Sequence, residues 1–148
     1  MKGAKIALII STNPIHTCPT VLVLVTDQMS CERLIHAGRR LADQEKMALE
    51  VINVARLGTV PNPDAIELLY QVSRENGAMM TVQYCEDSEK TLVKKLREQH
   101  PAVVVTGMPG KGSTLLQRLW TRFEYLAFYT VESDGATQPV TALNRALA

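Results

Sequence analysis

Apolar residues fall in short runs separated by amphipathic stretches of helical period. Val21 to Val25 is wholly apolar, Thr26, Asp27 and Gln28 are polar, and Leu34, Ile35, Leu41 and Ala42 then recur at helical spacing. That order predicts strand, loop, helix. Ser30 is a candidate N-cap with Glu32 in the first turn, and the helix should reach about Met47. Leu49 to Ala55 predicts a second strand. A loop carrying Gly58, Pro61 and Pro63 follows, and Asn62 then caps a second helix that Asn76-Gly77 ends. Met80, Val82 and Tyr84 alternate with Thr81, Gln83 and Cys85, as in a half-exposed edge strand. Asp87 or Ser88 opens a third helix, which Pro101 closes.

The run Ala102-Val103-Val104-Val105-Thr106 is apolar and β-branched enough for a central parallel strand covered on both faces. A glycine-rich turn, a fourth helix over about Ser113 to Phe123, and a strand in Tyr125 to Val131 complete the series. Five strands alternating with four helices predict an α/β fold: an open parallel five-stranded sheet with helices on both faces. Ile6 to Ile10 predicts an extra N-terminal strand, too short to be a signal segment or to cross a membrane. The expected division is an extension over 1–19, a domain over 20–132 and a tail over 133–148.

Composition narrows the function classes. With 21% charged residues, 46% hydrophobic residues and a net charge of +1, the chain is globular and lacks the basic excess of a nucleic-acid binder. Neither nucleic acid nor membrane is expected as a partner. The three cysteines, Cys18, Cys31 and Cys85, have neither zinc-ligand nor CxxC spacing, which points to a reducing cytoplasm. No metal site is expected, since His16 and Cys18 make at most half of one.

Open parallel sheets bind ligands beyond the carboxyl ends of their strands, where strand order reverses. Two loops compete for that place: Val25-Thr26-Asp27 onward, and Thr106 to Thr114 with Gly107, Gly110 and Gly112. Glycines let backbone amides approach an anion and make positive φ cheap, and the following helix adds its N-terminal N–H groups. Lys111, Ser113 and Thr114 offer charge and hydroxyls to a polyphosphate, and Asp27 an acceptor to a ribose hydroxyl or adenine amine. Equally, the turn can serve tight geometry alone, and Asp27 can begin or cap a helix. Ser113 follows Gly112 where a Walker loop requires lysine, so P-loop hydrolysis is not expected. Cys31, near a helix N-terminus, is either a reactive thiol or a small packing residue.

Val25-Thr26-Asp27 closing the first strand, and Gly107-Met108-Pro109-Gly110 after the fourth, resemble the signatures of universal stress proteins over about residues 20–132. Residues Ala78 to Gly110 also resemble the stress-protein module of potassium-sensing histidine kinases. The resemblance implies ATP or another adenine nucleotide, with Mg present only alongside it. It places adenine near Val54, ribose at Asp27, and phosphates on Gly107, Gly110 and the turn, with Thr121 matching the hydroxyl of the family's second half-motif. It also implies a homodimer through Tyr125 to Val131. Trp120 stands where the family has glycine, and an indole there would block the phosphate path.

Three functions follow as expectations. The first is a small non-catalytic, nucleotide-binding regulator read by a protein partner. The second is a nucleotide-free dimeric interaction module whose site is lost to Trp120. The third, expected least, is a slow ATPase or a Cys31 thiol enzyme.

Overall fold

The computed structural model describes residues 18–110 and 112–141; the Ile6 strand, Lys111 and the end of the tail lie outside them. Strands β1 (Thr20–Val25), β2 (Ala48–Arg56), β3 (Met79–Cys85), β4 (Val103–Gly107) and β5 (Ala127–Val131) alternate with helices α1 (Glu32–Glu45), α2 (Pro63–Glu75), α3 (Ser88–Gln99) and α4 (Leu115–Arg122). A sixth strand, β6 (Thr137–Pro139), completes one sheet of order β3-β2-β1-β4-β5-β6. The first five strands are parallel, as the alternation predicts, and β6 is antiparallel.

Alternation along each strand builds two cores. Val21, Val23 and Val25 of β1, with Val103 and Val105 of β4, pack under Leu34, Ile35, Leu69 and Val72 of α1 and α2. Leu22 and Val104 face the other way, beneath Leu92, Leu96, Leu119 and Trp120 of α3 and α4. The first pair of helices thus covers one face and the second pair the other. The chain reverses direction across the sheet between β1 and β4, paired at Val21–Val103 and Val23–Val105.

The caps follow their side chains. Asn62 Oδ1 accepts from the amides of Asp64 (3.1 Å) and Ala65 (3.3 Å), with Pro63 at the first helical position. Asp87 Oδ1 accepts from Lys90 N at 3.1 Å and so caps α3. At α1 the outcome differs from the Ser30 cap. Cys31 N bonds Gln28 O at 3.0 Å, winding Met29–Cys31 into a 3-10 turn, so α1 starts at Glu32. It ends at Glu45, because Lys46 is left-handed with φ 56° and its amide closes on Ala42 O.

The strand β6 adds an antiparallel sixth strand to the expected five parallel ones, from within the stretch expected as a tail. Thr130 pairs with Gln138, and Val140 N donates to Phe128 O at 2.8 Å. Three residues containing a proline carry too little periodicity to show as a strand. Their position covers the edge of β5 that the sequence offers to a second copy. At the opposite edge of the sheet among the described residues lies β3, with Met80 buried, Val82 half-buried and Met79 and Tyr84 exposed.

Candidate functional site

Beyond the carboxyl ends of β1, β2 and β4 lies a crevice of about 530 Å³, within the usual range of roughly 300–1,000 Å³ for small-molecule sites. Leu24, Ile52 and Val54 from the strands, with Leu92, Leu115 and Leu116 from α3 and α4, make its apolar wall. Thr26, Gln28, Ser88 and Ser113 bring hydroxyl and amide groups to it, and Gly107 and Gly110 bring backbone. The apolar wall suits a flat ring system, and the polar groups suit its substituents.

Most of the residues singled out in the sequence meet here. Val25, Thr26, Val54, Thr106, Gly107, Gly110 and Ser113 all line the crevice, although they come from three strands and the turn after β4. This convergence follows from β1 and β4 being neighbours at the reversal point. The buried Thr106 turns its hydroxyl to Gly107 O at 2.9 Å.

Asp27, Gly112 and Thr121 do not line it. Asp27 Oδ2 accepts from the Asn62 amide at 2.8 Å, which ties the end of β1 to the start of α2. Gly112, with φ 76°, sits inside a turn closed by Ser113 N donating to Gly110 O at 3.3 Å. Of the three glycines it alone needs the left-handed region; Gly107 and Gly110 have ordinary φ. Thr121 is exposed on the outer side of α4, its hydroxyl donating to Gln117 O at 3.0 Å. It shares a shallow surface depression with Glu89, Gln117 and Arg118, distinct from the crevice.

Trp120 is likewise corrected. Six residues into α4, it points into the core between sheet and helices, 6% exposed, and lines no part of the crevice. Its Nε1 is buried without a hydrogen-bond partner. The blocked phosphate path therefore has no geometric basis, because an eight-residue α4 carries positions 120 and 121 away from the turn.

Two residues that the strand and turn motifs do not flag shape the site. Asn53, 3% exposed, donates from Nδ2 to Val25 O at 2.9 Å and steadies the end of β1. Arg33 lines the crevice from the first turn of α1, where a Cβ on Gly107 would lie 3.9 Å from its Nη2. Its Nε donates to Glu132 O at 2.9 Å, Nη1 to Ser30 O at 2.6 Å and Nη2 to Val131 O at 3.4 Å. Arg33 is one of three arginines in α1, and its place depends on how α1 meets β4 and β5.

Cys31 is buried in the lining, with Sγ 3.4 Å from Thr26 Oγ1. That neighbour is a hydroxyl, whereas an activated thiol takes a base or a cation beside it. Among the described residues no three His, Cys, Asp or Glu side chains cluster as metal ligands. No helix among them is long and apolar enough to cross a membrane.

The fold is that of universal stress protein structures. A universal stress protein family member from Burkholderia pseudomallei superposes with a TM-score of 0.51 at 15% identity, covering 76% of this chain and 94% of that one. A universal stress protein from Archaeoglobus fulgidus gives 0.52 at 14% identity, over 70% and 87% of the two chains. The zinc-inhibited form of teicoplanin deacetylase Orf2 gives 0.51 at 10% identity, over 76% and 67%. No protein-family model and no curated protein sequence matches the chain.

Proposed function

We propose that this chain is a small regulatory protein of the universal stress protein type that binds an adenine nucleotide, without turning it over, in the crevice between β1 and β4. The observation that carries the reading is the crevice itself: an apolar wall that includes Val54, and a polar margin where Gly107 and Gly110 meet Arg33. Adenine suits the wall, and phosphate suits the margin. No described lining residue is a histidine or carboxylate, so the described lining offers no such general base to a hydrolytic water. Its output is a conformation read by a protein partner in the cytoplasm, or by a second copy of the chain.

The test is thermal unfolding of the full chain with Mg-ATP, ADP, AMP and cyclic dinucleotides, each against buffer and Mg alone. A ligand at a hundred times its dissociation constant adds about 2.7 kcal/mol, a rise of a few degrees for a domain of this size. Gly110→Trp should abolish the rise while folding normally, since a Cβ at Gly110 meets nothing within 4 Å and an indole there would fill the mouth. Absence of any rise across the series overturns the reading.

A further inference from the structure

The crevice is electrostatically one-sided. Arg33 is the charged side chain among its described lining residues, and no carboxylate faces it from β1, β2, β4, α3 or α4. The groups Arg33 does bond are the neutral carbonyls of Ser30, Val131 and Glu132, which orient the guanidinium without cancelling its charge. A guanidinium carries five N–H donors. Three are engaged among the described residues, one on each nitrogen, and Nη2 is the terminal nitrogen that lies beside Gly107.

The turn after β4 is by contrast closed on itself. Ser113 N is taken by Gly110 O, and the Thr114 hydroxyl is taken by Arg118 Nη1 rather than capping α4. A triphosphate needs several donors along its length, and its Mg²⁺ is ordinarily held through one or two carboxylates besides the phosphates. The described lining supplies one cation and no carboxylate.

We propose that the crevice takes a ligand with a single anionic terminus, a nucleoside monophosphate rather than a metal-bound triphosphate, and that Arg33 is the residue that binds that terminus. The inference rests on the nucleotide reading above and specifies its ligand class. Arg33 holds the end of β5 by the same guanidinium, so the bound anion is in contact with the group that fixes the β5–β6 turn.

The experiment is calorimetry on the full chain with adenosine, AMP and Mg-ATP, repeated with Arg33→Gln and Arg33→Lys. AMP should bind at least about tenfold tighter than adenosine, as a charge-assisted pair does, and Mg-ATP no tighter than AMP. Arg33→Gln should reduce AMP to the level of adenosine and leave adenosine unchanged; Arg33→Lys should restore part of the difference. A merely structural role would weaken both ligands alike. The inference is overturned by AMP and adenosine binding equally to the wild type, by Mg-ATP binding more than tenfold tighter than AMP, or by equal losses in Arg33→Gln. Any of these leaves the nucleotide reading standing. Silence from all three ligands removes both. The wild-type comparison decides the matter even where Arg33→Gln unfolds.

Discussion

The Asp27 carboxylate accepts the Asn62 backbone amide at 2.8 Å, and Asn62 in turn caps α2 with its own side chain. A strand-end acid that reads as a ligand contact is thus also the anchor of the loop between β2 and α2. Asp27→Ala should lower stability by about 1–2 kcal/mol, the usual worth of a hydrogen bond to a charged group near solvent. Asp27→Asn, which keeps an acceptor, should lose less. Urea denaturation of both checks the order, and equal losses would show that shape rather than acceptance matters.

Trp120 belongs to the core beside Phe123 and Leu119. Trp120→Gly should therefore cost at least about 3–5 kcal/mol through the cavity and lost apolar contact, a large share of a typical stability of 5–15 kcal/mol. It should create no nucleotide affinity. A stable Trp120→Gly protein that gains ATP binding in calorimetry would contradict the placement.

Gly38 brings α1 close to the sheet. A Cβ there would stand 2.6 Å from Val23 Cγ2 and 3.0 Å from Leu49 Cδ1, both in the buried core. Alanine raises helix propensity by about 1 kcal/mol, but overpacking costs about 1–3 kcal/mol. The expected net is destabilisation of up to about 2 kcal/mol, with a fall in Tm measurable by calorimetric unfolding. A rise in Tm would mean that the helix shifts freely over β1.

Glu89 and Arg118 join α3 to α4, with Oε1 2.9 Å from Nε and 2.7 Å from Nη2. The hydrogen bond from Arg118 holds the Glu89 carboxyl below its ordinary value, and raises the Arg118 guanidinium in return. A depressed folded-state pKa gives stability that is complete above the unfolded value and lost as pH falls through the folded one. The wild type should therefore lose slightly more stability than Glu89→Gln on acidification below the ordinary glutamate range. The effect is small because both groups are solvated. Parallel pH–stability curves for the two proteins would show that the pair contributes nothing.

β6 covers Tyr129 to Val131 of β5, and Pro139 blunts the new outer edge by lacking an N–H. Self-association through Tyr125 to Val131 requires β6 to leave. A chain ending at Glu132 should associate more strongly than the full chain in concentration-dependent sedimentation. Equal behaviour would place any self-contact elsewhere, β3 being the other outer strand among the described residues.

The alternation of strands and helices, the parallel sheet, the two competing strand-end loops, the Asn62 cap and a helix start at Asp87 or Ser88 are all legible in the sequence. Each depends on local chemistry or on a hydrophobic period that can be counted along the chain. What distant segments do to one another came only from packing. It gave Asp27 to the Asn62 amide and Trp120 to the core, and set Thr121 outside the crevice. It also placed Arg33 beside Gly107 and laid three tail residues against β5. Those outcomes depend on how α1 and α4 pack across the sheet, and contacts between residues as far apart as Arg33 and Glu132 leave no periodic trace in the chain.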